Sequence, residues 1–244
     1  LVLVRVSGII STAPVFGSSN IPPQIKVVLS LMLALILYPF IPLITVYPDR
    51  PDHYIMLIAS EMLIGLVLGI IARFLFGAVE FAGTVIGFQM GLGMANVFDP
   101  QSQEQISLVG RFENTTATLI FLAMDGHLIV LQALVRSYSV LPPGGASISR
   151  PLVESLIELS ASVFVIGLQI GAPLIVALFL ANAVVGLLAR SVPQIQVFVV
   201  GFPLTLMLGF LFLFFGMPFF AQAVHQMFEK LDTQFFEAIK LLGG

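Results

Sequence analysis

The chain contains no cysteine and no tryptophan. Without cysteine there are no disulfides, no iron–sulfur clusters and no thiolate metal sites. Charge is almost as scarce. Asp, Glu, Lys and Arg make up 9% of the 244 residues, against roughly 25% in an ordinary soluble domain. Ten basic and thirteen acidic side chains give a net charge of −3. There is no basic patch of the kind that binds nucleic acid, and no acidic tract that would form a disordered tail. The histidines are His53, His127 and His225, without metal-ligand spacing. Catalytic signatures are missing too: no Walker loop, no Gly-x-Ser-x-Gly and no His-Glu-x-x-His. Gly91-x-Gly93 lacks the third glycine of a dinucleotide fingerprint, and no strand precedes it. The residues therefore point to no cofactor and no metal.

What is present is apolar. Hydrophobic residues make up 58% of the chain, and mean hydropathy is +1.07. From Leu159 to Val224 the one charged side chain is Arg190. A membrane helix needs about 20 mostly apolar residues, so this stretch holds two long spans meeting at Arg190-Ser191-Val192-Pro193-Gln194. Five further apolar blocks precede it: Leu1 to Phe16, Val27 to Tyr47, Tyr54 to about Val79, Phe81 to Phe98, and Thr115 to Val135. Pro39 and Pro42 should kink the second. None alternates with period two, and an open sheet in lipid would strand its backbone polar groups. The expectation is an all-α membrane protein of about six or seven long, kinked hydrophobic helices arranged as hairpins. After them, Val224, Phe228, Leu231, Phe235, Ala238 and Leu242 recur at three- and four-residue steps, the pattern of an amphipathic helix. The chain opens on Leu1 already inside an apolar stretch, so a short preceding piece is expected. Residues 1–16 do not read as a signal peptide, because Arg5 interrupts them and no small-residue cleavage site follows.

Arginines are spread over nearly every connection, at Arg50, Arg111, Arg136, Arg150 and Arg190. They give little of the Lys/Arg asymmetry that orients a bilayer protein. Much of the apolar surface is therefore expected to face other subunits. Gly83, Gly87, Gly91 and Ala95 form one small-residue ridge; Gly65, Gly69 and Gly77 form a second, with Arg73 in register. Such ridges let helix backbones approach closely, whether for plain packing or beside a conduit. Glu61, Arg73 and Glu80 are candidate buried charges, with ion pairing as their simplest role and a proton relay as the sharper one. Asp125-Gly126-His127 reads as a helix break with a structural histidine. The polar segment Asp99 to Asn114 reads as a flexible loop after a helix end that carries Met90 and Met94.

The ordered set of short motifs is similar to the FliR family of flagellar export-gate proteins and its injectisome relatives. It runs from Arg5-Val6-Ser7-Gly8, Ala13-Pro14-Val15-Phe16, Ile21-Pro22 and Lys26 to Glu61, Gly65 and Gly69. It continues with Gly87-Phe88-Gln89-Met90-Gly91, Asp99-Pro100, Gly126-His127-Leu128, Leu141-Pro142, and Asn182 through Gly186 to Arg190. Pro193-Gln194-Ile195-Gln196-Val197-Phe198 followed by Gly201-Phe202-Pro203-Leu204 is its strongest part. Asp125 and Gln196 stand where the family more often has Asn.

The resemblance implies a non-enzymatic subunit of a type III export gate. In that family one copy joins FliP and FliQ in a ring-like channel for unfolded flagellar subunits, next to FlhB and the proximal rod proteins. The location implied is the inner membrane at the flagellar basal body, partly raised toward the periplasm and bordered by lipid. It also implies a FliP-like part over about residues 1–151, a FliQ-like hairpin over about 152–224 that turns near Arg190, Pro193, Gln194 and Phe198, and a C-terminal helix over 225–244. By the same resemblance Met94, Val97, Phe98, Asp99, Pro100, Gln101, Gln103 and Arg111 fall in or beside a channel plug. The competing expectations are a small-solute transporter, an injectisome gate subunit, or an intramembrane enzyme resting on Asp125 and His127.

Overall fold

The computed structural model describes residues 1–18, 20–41, 51–94, 107–191 and 197–243. Among these there is no strand, and the protein is an all-α membrane protein. The α-helices are α1 (Val2–Thr12), α2 (Pro23–Leu37), α3 (Pro51–Gln89), α4 (Leu108–Ala123), α5 (Gly126–Val140), α6 (Arg150–Ser191), α7 (Val197–Glu229) and α8 (Leu231–Leu242). Short 3-10 turns cover Tyr38–Phe40 and Leu92–Met94.

Local chemistry sets most of the ends. Ala13 closes α1 in extended geometry, as a residue before proline prefers. Pro23 opens α2 at its first position, where a missing N–H costs nothing. Around Pro39 the helix tightens into a 3-10 turn, the kink the sequence predicts there; Pro42 lies outside the described residues. Asp125 adopts φ 56°, in the left-handed region, and α4 and α5 bend by 64° at this break. The third and fourth apolar blocks do not form separate helices. They merge into α3, 39 residues long, because only Glu80 marks their junction and glutamate is a good helix former.

Four of these helices are long and apolar enough to cross a membrane, or five if the bent α4–α5 pair is one span. The predicted amphipathic stripe is present at the C-terminus. Val224, Phe228, Leu231, Phe235, Ala238 and Leu242 are all buried.

The chain divides into two compact units that interleave in sequence. Unit 1 holds Leu1–Leu75, Phe121–Ala161 and Met227–Gly244; unit 2 holds Phe76–Ile120 and Ser162–Gln226. The sequence division at 151–152 falls inside unit 1. In unit 1, α1 packs on α2 and α5 packs on α8. Phe121 meets Phe228 edge-on at 5.1 Å. The segment after α5 is tied to the last turn of α8: Ser147 N–H donates to Leu242 O and Ser149 Oγ to Leu241 O, filling acceptors that a helix end leaves open. In unit 2 the core is Ile86, Met90, Val109, Leu174, Leu178 and Leu213.

Candidate functional site

The most completely built polar site lies in unit 1. Arg5 is the lone charge of its apolar stretch and Glu61 the lone acid of the block from Tyr54 to about Val79, and both are fully buried. Arg5 Nε donates to Glu61 Oε2 at 2.8 Å, and Nη2 donates to Oε1 at 2.9 Å. This is the two-point fork that guanidinium and carboxylate geometry allows. Arg5 Nη1 donates to Ser137 Oγ at 2.9 Å, and Nη2 also reaches Leu141 O at 3.3 Å. Gly144 N–H donates to Glu61 Oε1 at 3.2 Å. The Tyr138 ring stacks on the guanidinium, 3.8 Å from Cζ to centroid. Four segments meet here: α1, α3, α5 and the linker after it. A buried ion pair holds only when its remaining lone pairs and protons find partners, and here four of the five Arg5 N–H donors and both Glu61 oxygens are engaged. The contacts tie α1 to α3 and α5.

The glycine ridges lead to different neighbours. A Cβ at Gly65 would fall on the Arg5 carbonyl oxygen, and at Gly8 on the Gly65 backbone at 3.1 Å. Gly69 faces Thr12, whereas Gly77 has only a Val163 methyl, at 3.8 Å. In unit 2 a Cβ at Gly83 would lie 2.5 Å from Gly110 Cα, so α3 and α4 cross backbone to backbone there. Gly87 faces the Ser107 side chain, and Ser107 Oγ donates to Gly83 O at 3.3 Å. Gly91 has φ +83° and its N–H donates to Phe88 O at 3.0 Å. It ends α3 as a left-handed cap, although Phe202 of α7 also packs over it. Ala95 lies outside the described residues.

These contacts rank the substitutions. Gly65→Ala and Gly83→Ala each push a methyl into backbone, and overpacking of that kind costs about 1–3 kcal/mol or more. Both should sharply lower the amount of protease-resistant protein in membranes. Gly77→Ala should leave it near wild type. Equal damage at all three positions would remove the packing account.

The other expected site residues fall as follows. Glu61 is buried, but Arg73 and Glu80 are exposed on this chain. The buried face of α3 runs through Ile64, Leu68, Ile71, Leu75, Val79, Ala82 and Ile86, and positions 73 and 80 lie off it. Arg111 is not in a loop; it sits in the first turn of α4 and is exposed. Met94 closes a 3-10 turn. Arg190 is exposed in the last turn of α6, and Phe198 belongs to the first turn of α7. Val97, Phe98, Asp99, Pro100, Gln101, Gln103, Pro193 and Gln194 lie outside the described residues. His127 is half-buried beside the helix break, and its Nδ1, itself shielded from solvent, has no partner. Among the described residues no three His, Asp or Glu side chains cluster as a metal site.

Sequence reasoning missed two features. Arg5 reads from the residues as an interruption and a motif member, although a lone cation in one apolar block and a lone acid in another are a signal for pairing. Glu113 falls in the polar segment that reads as a loop, but it belongs to α4. It is 2% exposed, with Oε2 unpartnered and facing Gly83. Asn182 of α6 completes the end of α3, its Nδ2 donating to Gln89 O at 2.9 Å.

Comparison with known proteins agrees with the motif pattern. A family profile described as bacterial export proteins, family 1, matches residues 1–231. The flagellar biosynthetic protein FliR of Escherichia coli (strain K12) is 35% identical over 229 residues, covering 94% of this chain and 87% of the relative. FliR of Bacillus subtilis (strain 168) is 34% identical over 252 residues, covering 100% and 95%. FliR of Aquifex aeolicus (strain VF5) is 30% identical over 239 residues, covering 97% and 92%.

Proposed function

The chain belongs to the FliR proteins of bacterial export proteins, family 1, and on that premise we propose that it is the single FliR-type subunit of a flagellar export gate. It is a membrane component of flagellar export. In the finer proposal it joins FliP and FliQ homologues, with FlhB alongside, to enclose a passage for unfolded flagellar subunits. Residues of about 1–151 would take the FliP-like place and about 152–224 the FliQ-like hairpin; the helix expected over 225–244 is instead the end of α7, which runs to Glu229, followed by α8 over Leu231–Leu242, and α8 would be the closing helix. The assembly would sit in the inner membrane at the basal body, raised in part toward the periplasm. Its contribution is structural rather than catalytic. A channel selects by diameter, lining and gate, and the driving energy comes from other components.

One observation carries this most directly: the helices present far more apolar surface than the chain covers by itself. In the α2 candidate span 11% of the window is buried, and in α6 28%. On α7, Met207 is 74% exposed, Phe214 76% and Phe215 70%. Exposed apolar patches of this extent mark protein or membrane contacts, and the thin arginine asymmetry of the loops favours protein for a large share.

The test is co-purification. A tagged chain taken from its own membranes should bring down FliP- and FliQ-type proteins in a fixed excess over itself. Recovery of a folded, solitary chain would overturn the gate and favour a transporter.

A further inference from the structure

In unit 2 an acid is buried where nothing compensates it. Glu113 is 2% exposed and shares the inward face of α4 with Val109, Ala117 and Phe121. Its Oε2 has no hydrogen-bond partner among the described residues. That oxygen is packed against α3, where a Cβ at Gly83 would lie 2.8 Å from it. Gly83 and Gly110 are the pair at which α3 and α4 cross backbone to backbone, so water reaches this carboxyl when the crossing opens. A cavity of about 10 Å³ adjoins the acid, bounded by Ile86 of α3, Ile170 and Leu174 of α6, and Leu213 and Met217 of α7. Glu113 is the one polar side chain that lines it. Such a space takes one water at most, too little to hydrate an ion.

No cation on the packed helices answers this acid. From Leu159 to Val224, across α6 and α7, the one charged residue is Arg190, exposed at the end of α6. Within unit 2 the charged group of α3 is Glu80, and α4 adds Arg111; both are exposed, off the buried faces. Arg111 is two positions from Glu113, and residues so spaced do not face each other on a helix. Glu113 also lies past the first turn of α4, where the helix dipole no longer helps an anion. An unpaired carboxylate in apolar surroundings takes up a proton instead, and an ionisable group of this kind between membrane helices marks a working site.

We propose that Glu113 is a proton-binding site, and that its proton holds α3 and α4 closed at Gly83 and Gly110. The bound form is the neutral acid. Release breaks the O–H bond and sends the proton to bulk water. It leaves an anion that the closed crossing cannot solvate, so α4 must draw away from α3 to admit water. Glutamine would fill the same volume without this dependence; the acid adds reversibility. The closed crossing binds one proton more than the open one, so closure weakens as pH rises. The inference goes beyond export, because it requires this crossing and nothing of what passes through the assembly.

The experiment uses the whole protein in its own membranes and purified with its natural partners. The infrared spectrum of wild type minus that of Glu113→Gln, at neutral pH, should show the carbonyl band of a carboxylic acid. The band should shift in heavy water and give way to carboxylate bands in alkaline medium. Protease cleavage within α4 reports the open population. Between the ordinary glutamate midpoint of about 4.3 and the pH at which the band is lost, each pH unit should raise opening of wild type over Glu113→Gln about tenfold, the weight of one proton. Glu113→Gln should insert like wild type and stay closed. Glu113→Asp keeps an acid and moves the band, so it assigns the band if the glutamine variant does not insert. A neutral-pH difference spectrum holding carboxylate bands alone would overturn the proposal. So would a Glu113→Gln chain that opens with pH as wild type does.

Discussion

Glu61→Gln should be among the most damaging single substitutions in this chain. It leaves the Arg5 cation fully buried without its carboxylate, and breaking a buried pair from one side costs about 3–5 kcal/mol. Whole folded domains are stable by only about 5–15 kcal/mol. The expected result is loss of the protease-resistant, membrane-inserted form at growth temperature, and Arg5→Met should behave alike. The informative variant is the double one. Arg5→Met with Glu61→Leu removes both charges and leaves side chains of comparable bulk, so it should recover most of the loss. Swapping the charges, Arg5→Glu with Glu61→Arg, should not recover it. A carboxylate at position 5 would point at Leu141 O and lose the donation to Ser137 Oγ, whose own proton goes to Leu134 O. A swap that restores stability would show that the pair acts through charge alone and not through its hydrogen-bond pattern.

The same pair shows what a sequence can and cannot reveal here. Fold class and the C-terminal stripe were legible because burial leaves a periodic mark. In 224–242 apolar residues recur at three- and four-residue steps along one face, and that face is buried, with Met227 and Ile239 widening it while Phe236 stands exposed. The Arg5–Glu61 contact spans 56 residues and joins helices that are apolar on most faces, so no period marks it. The length of α3 was hidden by Glu80. A charge inside an apolar run looks like a boundary, but on a long helix it simply takes the outer face.

The start of α4 was hidden by the opposite effect. Its buried positions are Val109, Glu113, Ala117 and Phe121, a four-residue step, with Gly110 beside the first of them. Glu113 occupies one of them and makes the first turns look polar. The small-residue ridges announced close helix approach but not its partner. Gly83 meets Gly110 and Gly65 meets the α1 backbone, and neither pairing can be read from spacing. Resemblance to a family supplied what period could not: membership of the FliR proteins of flagellar export.

Within the proposed gate, the second large effect is expected at the segment between Met94 and Ser107. The residues that flank it are anchored independently of it. On one side Gly91 ends α3 under Phe202, with Asn182 holding Gln89 O. On the other, Ser107 already lies against Gly87 and donates to Gly83 O. Chain that leaves and rejoins one helix end within a turn or two can be exchanged without moving the scaffold. Replacing residues 97–105 by a Gly/Ser run of equal length keeps the closure entropy nearly constant, so the protein should still insert and assemble. It removes Val97, Phe98, Asp99 and Pro100, the residues the plug would use. If the plug holds the channel shut with an open population of about 0.1–10%, its loss should raise small-solute leakage by roughly tenfold to a thousandfold. Membrane permeability, with co-purification of the partner subunits measured on the same preparation, separates the outcomes. Normal assembly with unchanged leakage would refute the plug while leaving the subunit in its gate. Lost assembly would show instead that these residues build the scaffold, which the contacts on either side argue against.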